Sequence, residues 1–392
     1  MLNCREGKNM KVCITRNAEA RTNAGISRIV SALECNVDNI ILLTRNRFAE
    51  GNGKVEVLRY NTTNTEIVNY EINLKSNPGR GIVNIVQLVI FQFILFKWLL
   101  KNRNKYDIIH AFDLDSGLPT LLISVLLGKK YVYHIADFYI DSRGGVPKFL
   151  KNVIRRIEYS VINGAETTII CTEDRARQIE GSKPKELVVV HNTPIVPESL
   201  LKSIQQNNEI RNPNNRKIKL TYVGALAEKR FIRYLIDVIK RYPNVTLNIA
   251  GMGKLEQYVK EASIEYENIN YFGMIDYTDA LKLYSDTDYM FAIYDPRVPN
   301  HRYSAPNKVY EAMILGKPII VAKGTGIDQI VSTNKIGITI DYSIEAFEKV
   351  LTDIISNPDL MVSMANNSKK VYVKYSWIEM KNKIINIYQN IR

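Results

Sequence analysis

The sequence predicts an α/β protein made of two tandem, doubly wound, Rossmann-like domains facing a central cleft. Three observations predict it. Short apolar runs alternate with helical patterns. A polar, Asn-rich stretch interrupts this alternation near the middle, after which it restarts. The 392 residues also exceed what one hydrophobic core usually serves. Apolar runs flanked by helices read as strands buried on both faces, the pattern of a parallel sheet. Ligands of such sheets sit beyond the carboxyl ends of the strands, so two facing domains are expected to share one cleft.

Taken in order, Met10–Thr15 reads as the first strand, Asn17–Gly25 as a turn-like segment and Ile26–Leu33 as a helix. Ile40–Thr44, Ile108–Ala111, Tyr131–Ile135, Thr167–Thr172 and Leu187–His191 read as further strands, with an apolar helix at Leu118–Leu127. Ser203–Lys217 is the linker candidate because it is polar and rich in Asn. Beyond it, strands are expected at Lys219–Val223, Thr246–Ala250, Tyr271–Phe272, Tyr289–Ile293, Pro318–Ala322 and Ile336–Ile340. Helices are expected at Arg230–Lys240 and Leu255–Ala262.

Two helical segments stand apart. Ile82–Leu100 is apolar except for Asn84, Gln87, Gln92 and Lys97, which do not share one face. A helix apolar all round is buried in protein or in lipid, and this one reaches the length of a membrane span. Strands of one sheet flank it, so a buried helix of the first domain is expected, with a membrane-dipping segment as the alternative. Lys148–Ile157 puts Lys148, Lys151 and Arg155 on one side, Arg156 beside them, and Phe149, Val153 and Ile157 on another. It reads either as a surface helix packed on its domain or as a contact for anionic headgroups, together with Lys97, Lys101, Arg103 and Lys105.

Apolar residues at 46% and charged residues at 24% exclude a disordered or collagen-like chain. The net charge of +13 calls for an anionic partner: phosphate groups, nucleic acid or an acidic membrane surface. Nucleic acid is set aside because the sequence offers no recognition helix or aromatic stacking motif. Cys4, Cys13, Cys35 and Cys171 lack metal-ligand spacing and suit reduced thiols in a cytosolic protein. The histidines (His110, His134, His191, His301) form no cluster, so no structural metal is expected. Met1–Asn9 is polar, lacks the apolar stretch of a signal peptide and precedes a second methionine, Met10, at the first strand; it reads as a tail or a mis-assigned start.

Candidate chemistry concentrates in the second half. In Ser304–Ala322 (SAPNKVYEAMILGKPIIVA), Pro306 suits a helix start and Gly316 its end. Glu311 falls mid-helix. A carboxylate there can accept from both hydroxyls of a ribose if it faces a cleft, whereas local sequence alone gives a solvent-facing Glu. In Tyr222–Arg230 (YVGALAEKR), Gly224 follows a strand, and Lys229 and Arg230 offer fixed positive charge at a helix start that can stabilise a leaving diphosphate, whereas a lone basic pair reads as a solvated helix start. Ala250–Lys254 (AGMGK) supplies Gly251 and Gly253, a weak signal alone. Asp113-Leu114-Asp115 matches a cation-binding triplet of a different fold. In this architecture it reads as a polar loop after a strand, and no essential metal is expected.

These segments together resemble the retaining GT-B glycosyltransferases of family four, the glycosyl transferases group 1. The Ser304–Ala322 helix is similar to that family's nucleotide-binding helix, which implies a ribose-binding role for Glu311 and donor contacts from Asn307 and Lys308. The family often carries another Glu eight positions earlier, where this chain has Tyr303. It commonly has Arg after the Gly of the first turn, where Ala225 stands, while Lys229 is kept and Arg230 follows it. Tyr271–Ile275 resembles the segment whose backbone faces the base, which implicates Met274. Gly324–Ile330 resembles a further Gly turn. In the first half, Asp107–His110 and the segment through Tyr139 resemble the family's pattern. Ala136 replaces its usual His, His134 is a weak substitute, and Asp137 remains a candidate for contacting sugar hydroxyls. Gly25 matches the loop that approaches the donor phosphates, and Val190–Asn192 the segment before the linker. Tyr375–Trp377 resembles the motif before a last helix that crosses back onto the first domain.

The resemblance therefore implies domains at 1–200 (acceptor side), 201–375 (donor side) and a crossing helix at 376–392. It implies transfer from a nucleotide-diphosphate sugar, as co-substrate and without a cofactor, to a saccharide acceptor with retention. Front-side displacement, with domain closure, lets the leaving phosphate take the acceptor proton. Positive charge and the two unusual helices point to a lipid-linked acceptor in cell-surface polysaccharide assembly, on the cytoplasmic face of an anionic membrane. The alternatives are a non-catalytic nucleotide-sugar-binding scaffold and a nucleotide-sugar epimerase.

Overall fold

The computed structural model describes residues 10–61, 65–76, 81–141, 147–206 and 217–391. The chain divides into two compact units, one of Met1–His191 with Met380–Arg392 and the other of Asn192–Glu379.

Unit 1 holds an eight-stranded sheet. Its strands are β1 (Lys11–Arg16), β2 (Asn39–Asn46), β3 (Lys54–Asn61), β4 (Glu66–Asn73), β5 (Ile108–Phe112), β6 (Lys130–Ile135), β7 (Thr167–Ile170) and β8 (Leu187–Val189). The order is β3-β4-β2-β1-β5-β6-β7-β8, parallel throughout except for the β3–β4 pair at one edge. Its helices are α1 (Ala24–Leu33), α2 (Gly81–Lys101), α3 (Asp113–Leu127), α4 (Lys148–Gly164) and the short α5 (Arg175–Gln178). The central strand β1 (KVCITR) has four consecutive buried residues, as expected for a strand covered on both faces. Cys13 of β1 pairs with Ile41 of β2 and Ile109 of β5, and all three lie in one apolar core.

Unit 2 repeats the plan. Its strands are β9 (Ile218–Val223), β10 (Val245–Ala250), β11 (Ile269–Tyr271), β12 (Tyr289–Ala292), β13 (Ile319–Ala322) and β14 (Gly337–Ile340). They are all parallel, in the order β11-β10-β9-β12-β13-β14. The helices are α6 (Glu198–Gln206), α7 (Ile232–Ile239), α8 (Glu256–Glu265), α9 (Tyr277–Ser285), α10 (Asn307–Leu315), α11 (Ile327–Thr333), α12 (Ile344–Ser356) and α13 (Asp359–Tyr375). A last helix, α14 (Trp377–Asn390), joins unit 1 from Met380 onward. There Met380, Ile384, Ile387 and Tyr388 are buried, and the Tyr388 hydroxyl lies 2.7 Å from His110 Nδ1.

Several expectations change on contact with the fold. The expected boundary at 200/201 falls inside α6, whose Ile204 is buried in a unit 2 core with Leu200 and Leu201 packed against it. The expected linker begins in α6, and residues 207–216 lie outside the described residues. The expected helix Arg230–Lys240 starts at Ile232, because Phe231 adopts a left-handed conformation (φ 64°). That turn sinks the Phe231 ring among Tyr234, Phe291, Tyr342 and Phe347. The expected burial of Ile82–Leu100 holds for one face only. Leu88, Phe91, Leu95, Trp98 and Leu99 are buried, while Ile85, Val86, Val89, Ile90 and Phe93 are exposed.

Candidate functional site

In unit 2 the strand order reverses between β9 and β12, and sheets of this type bind ligands at the carboxyl ends beside such a reversal. Glycines shape that end. Gly224, after β9, has φ 152°, and Gly251 and Gly253, after β10, have φ 129° and 150°. A Cβ on Gly251 would lie 1.9 Å from the Gly224 carbonyl oxygen, and one on Gly253 2.5 Å from that of Leu226. The Gly224 and Leu226 N–H groups donate to Ala250 and Met252 at 2.9 Å each. Close apposition of two loops thus requires these glycines, whatever they bind.

Helix α10 contributes the charged groups. Pro306 precedes it in extended conformation and provides no side-chain cap. Lys308, in the first turn after Asn307, reaches back to β9: a Cβ on Gly224 would meet its ammonium at 2.9 Å, and Nζ lies 5.1 Å from the centre of the Tyr222 ring. Glu311 is buried rather than solvent-facing. Burial pushes its carboxyl above the usual range, opposed by Lys308 and by a hydrogen bond with Tyr277 at the start of α9. The Tyr284 hydroxyl donates to the Val223 carbonyl (3.3 Å) and feels the charge of Glu311. Lys308 and Glu311 are therefore gathered near the end of β9. At the end of β11, Gly273 accepts from Gly251 N (2.7 Å), and Met274 beside it is 75% exposed.

Lys229 and Arg230 occupy a 3-10 turn, Glu228–Arg230, and not the start of α7. The turn is closed by Arg230 N, which donates to Ala227 O (3.0 Å). Their side chains are held by the loop after β12. Lys229 Nζ lies 3.2 Å from Asp295 Oδ2, and the Arg230 guanidinium stacks 3.9 Å from the centre of the Tyr294 ring. Arg297 also grips Asp295, through Nε to Oδ1 (2.9 Å) and Nη2 to Oδ2 (3.0 Å). Burial alone would raise the Asp295 carboxyl, but hydrogen bonds from Arg297 and Lys229 outweigh it and bring it down to about 2. Sequence reasoning missed Asp295, Arg297 and Tyr277. The available signal for Asp295 was its position, an acid three residues beyond the apolar strand β12 that borders the reversal.

In unit 1 the strand order reverses between β1 and β5. Gly25 lies in the first turn of α1, where a Cβ would meet Arg16 Nη1 at 2.2 Å. The missing side chain thus makes room for Arg16, whose guanidinium bonds Asn23 Oδ1 (2.8 Å) and lies 3.9 Å from Asp113. Asp113 Oδ1 accepts from the N–H groups of Ala136 and Asp137 at 2.8 and 2.9 Å. Asp115 accepts from Asn17 Nδ2 (2.6 Å). The Asp-x-Asp triplet is therefore engaged in tying β1, α3 and the end of β6 together. Asp137 presents a 58% exposed carboxylate 3.9 Å from Arg175. His134 turns into the core against His110 (3.2 Å), where burial drives both rings toward the neutral form. Among the described residues, no three His, Cys, Asp or Glu side chains group closely enough to hold a metal ion.

Comparison with known proteins places this geometry. Residues 203–371 match the family described as glycosyl transferases group 1, and residues 72–193 match the glycosyl transferase 4-like domain. An uncharacterized glycosyltransferase of Methanocaldococcus jannaschii is 24% identical over 307 residues, 73% of this chain and 76% of that protein. The O-antigen biosynthesis glycosyltransferase WbnH of Escherichia coli is 24% identical over 47% of this chain and 52% of its own. The crystal structure of Anabaena HepE in complex with UDP superposes with a TM-score of 0.67 at 14% identity, over 97% of this chain and 100% of that one. The fold and the two family matches, one in each unit, define a glycosyltransferase of the GT-B fold. Within that class, the chain belongs to the glycosyl transferases group 1.

Proposed function

We propose that this glycosyltransferase moves a sugar from a nucleotide-diphosphate donor to a saccharide acceptor, with retention at the anomeric carbon and without a metal ion. The observation that carries the reading is the grouping of Lys308 and the buried Glu311 at the strand reversal of unit 2, beside the Gly224 turn. Glu311 accepts from the ribose hydroxyls, exchanging its bond with Tyr277 for bonds to the ligand. Lys308, Lys229 and Arg297 supply the positive charge that stabilises the leaving diphosphate, with Arg230 beside them. Lys308 and Arg297 thereby offset the loss of the Arg that the family commonly has at the position of Ala225. The Gly251–Gly253 turn admits the donor closely, and Met274 borders the base. The UDP bound to the Anabaena neighbour supports a uridine nucleotide as the first donor to try.

Asp137 accepts a hydrogen bond from the acceptor hydroxyl. The leaving phosphate takes its proton, so that no strong protein base is needed. The net charge of +13 and the O-antigen relative support a lipid-linked saccharide as acceptor, in cell-surface polysaccharide assembly on the cytoplasmic face of the membrane. The test is turnover of UDP-sugars with lipid-linked acceptors, with the product anomer read by NMR. An axial donor linkage retained in the product supports the reading. An inverted product overturns retention, and donor binding without turnover on any acceptor favours a non-catalytic nucleotide-sugar binder.

A further inference from the structure

Helix α2 is apolar on both faces. Its inner face packs Leu88, Phe91, Leu95 and Leu99 into the unit 1 core, yet its outer face is also apolar. Ile85, Val86, Val89, Ile90 and Phe93 are 39–66% exposed and recur at helical spacing on one side. Over Asn84–Lys101 the mean hydropathy is 1.5, and only 28% of the segment is buried. A soluble surface helix normally turns polar residues outward, and contiguous exposed apolar area marks an interaction surface. Spanning a bilayer is excluded by the chain path: α2 links β4 to β5 of one sheet, and its inner face belongs to that sheet's core.

Helix α4 repeats the feature. Phe149 is 78% exposed, with Leu150 and Val153 exposed beside it. The neighbouring positions are Lys148, Lys151, Arg155 and Arg156, and α2 carries the exposed Lys97. Helix α3 packs against both α2 and α4, so the two apolar runs flank it. Both runs lie toward the carboxyl ends of the unit 1 strands. Gln87 of α2 bonds Arg45 near the end of β2 (3.4 Å). On α4, Tyr133 of β6 donates to Glu158 (2.9 Å), and Val153–Phe149 extends about 7 to 14 Å further along the helix axis.

We infer that the outer face of α2 and the first turns of α4 form a docking surface for an anionic lipid bilayer, with Ile90, Phe93 and Phe149 entering the interface and the flanking cations meeting phosphate headgroups. Charge selects this occupant. An apolar stripe rimmed by lysine and arginine matches a surface that is apolar below and negative above, and a neutral protein partner would leave the rim unmatched. The inference deepens the reading of a lipid-linked acceptor and rests on it only for the purpose of the docking.

The experiment is co-sedimentation of the full chain with vesicles of phosphatidylglycerol and phosphatidylethanolamine, with phosphatidylcholine vesicles as control. Phe93→Asp with Phe149→Asp is expected to lower binding at least tenfold, and Lys148→Glu with Lys151→Glu to abolish the preference for the anionic vesicles. Melting temperature and UDP binding stay unchanged, because these side chains are exposed on unit 1; that separates failure of the surface from failure of the donor reading. Unchanged binding in the apolar variant overturns the inference. So does equal binding to phosphatidylcholine, or a wild-type dimer in solution that the apolar variant makes monomeric, which would assign the face to self-association.

Discussion

Asp295 presents a wholly buried carboxylate to two largely exposed cations, Lys229 and Arg297. Its depressed pKa, about 2 against an ordinary 3.8, means that it stabilises the fold at neutral pH and loses that contribution as the pH falls below 3.8 toward 2. Asp295→Asn leaves both cations without their anchor. Donor kcat/KM is expected to fall by about tenfold to a hundredfold, with loss of about 1–3 kcal/mol of stability, measured by steady-state kinetics and denaturant unfolding. Glu158 behaves oppositely. It is buried on the inner face of α4, and burial raises its carboxyl to about 8, with hydrogen bonds from Tyr133 and the Tyr139 backbone opposing. A raised acid pKa favours the folded state at low pH, so its penalty grows as the pH rises from 4.5 through 8. Glu158→Gln is expected to raise the melting temperature at pH 8 and to leave it nearly unchanged at pH 5. A variant that melts at the same temperature as wild type at pH 8 would show that Glu158 is not protonated in the fold. Of the residues singled out from sequence, Glu311 and Lys308 were legible only through the motif around them. Their burial and their approach to β9 arise from packing that no local pattern encodes.

At the scale of elements, the parallel strands were legible because both faces are buried and their sequences are continuous apolar runs. The β3–β4 pair was not. Lys54–Asn61 (KVEVLRYN) and Glu66–Asn73 (EIVNYEIN) alternate polar and apolar residues at a sheet edge, and a search for apolar runs passes over them. The start of α7 was displaced because the left-handed Phe231 is a bulky residue in a conformation that sequence rarely announces. The outward face of α2 was hidden by its composition, since an all-apolar segment reads the same whether one face or both are covered. Helix α14 shows how an end segment completes a distant core. Met380, Ile384, Ile387 and Tyr388 fill unit 1 beside His110, and Lys130 Nζ bonds the Ile391 carbonyl (2.6 Å). A chain ending at Glu379 is expected to lose protection in β5 and β6 by hydrogen exchange, while β9 and β10 keep theirs. Equal loss in both sheets would mean that the helix supports more than unit 1.

For the whole molecule, the same winding occurs twice, with a strand reversal beside β1 in unit 1 and beside β9 in unit 2. The two reversals differ in chemistry. In unit 1 the Arg16 and Asp113 side chains are engaged by Asn23 and by the Ala136 and Asp137 N–H groups, whereas unit 2 leaves Lys229 and Arg297 largely exposed around glycine turns. This asymmetry supports the proposal that the donor binds in unit 2, held by Glu311 and Lys308. Its most direct test is isothermal titration of the full chain with UDP and other nucleoside diphosphates, for wild type, Glu311→Ala and Lys308→Ala. Wild type is expected to bind one nucleotide class. Each substitution is expected to weaken that binding by about tenfold or more, because each removes a charge-assisted hydrogen bond worth about 1.5–3 kcal/mol, while the protein remains folded. Equal affinity in all three proteins, or no binding of any nucleotide by folded wild type, would contradict the proposal.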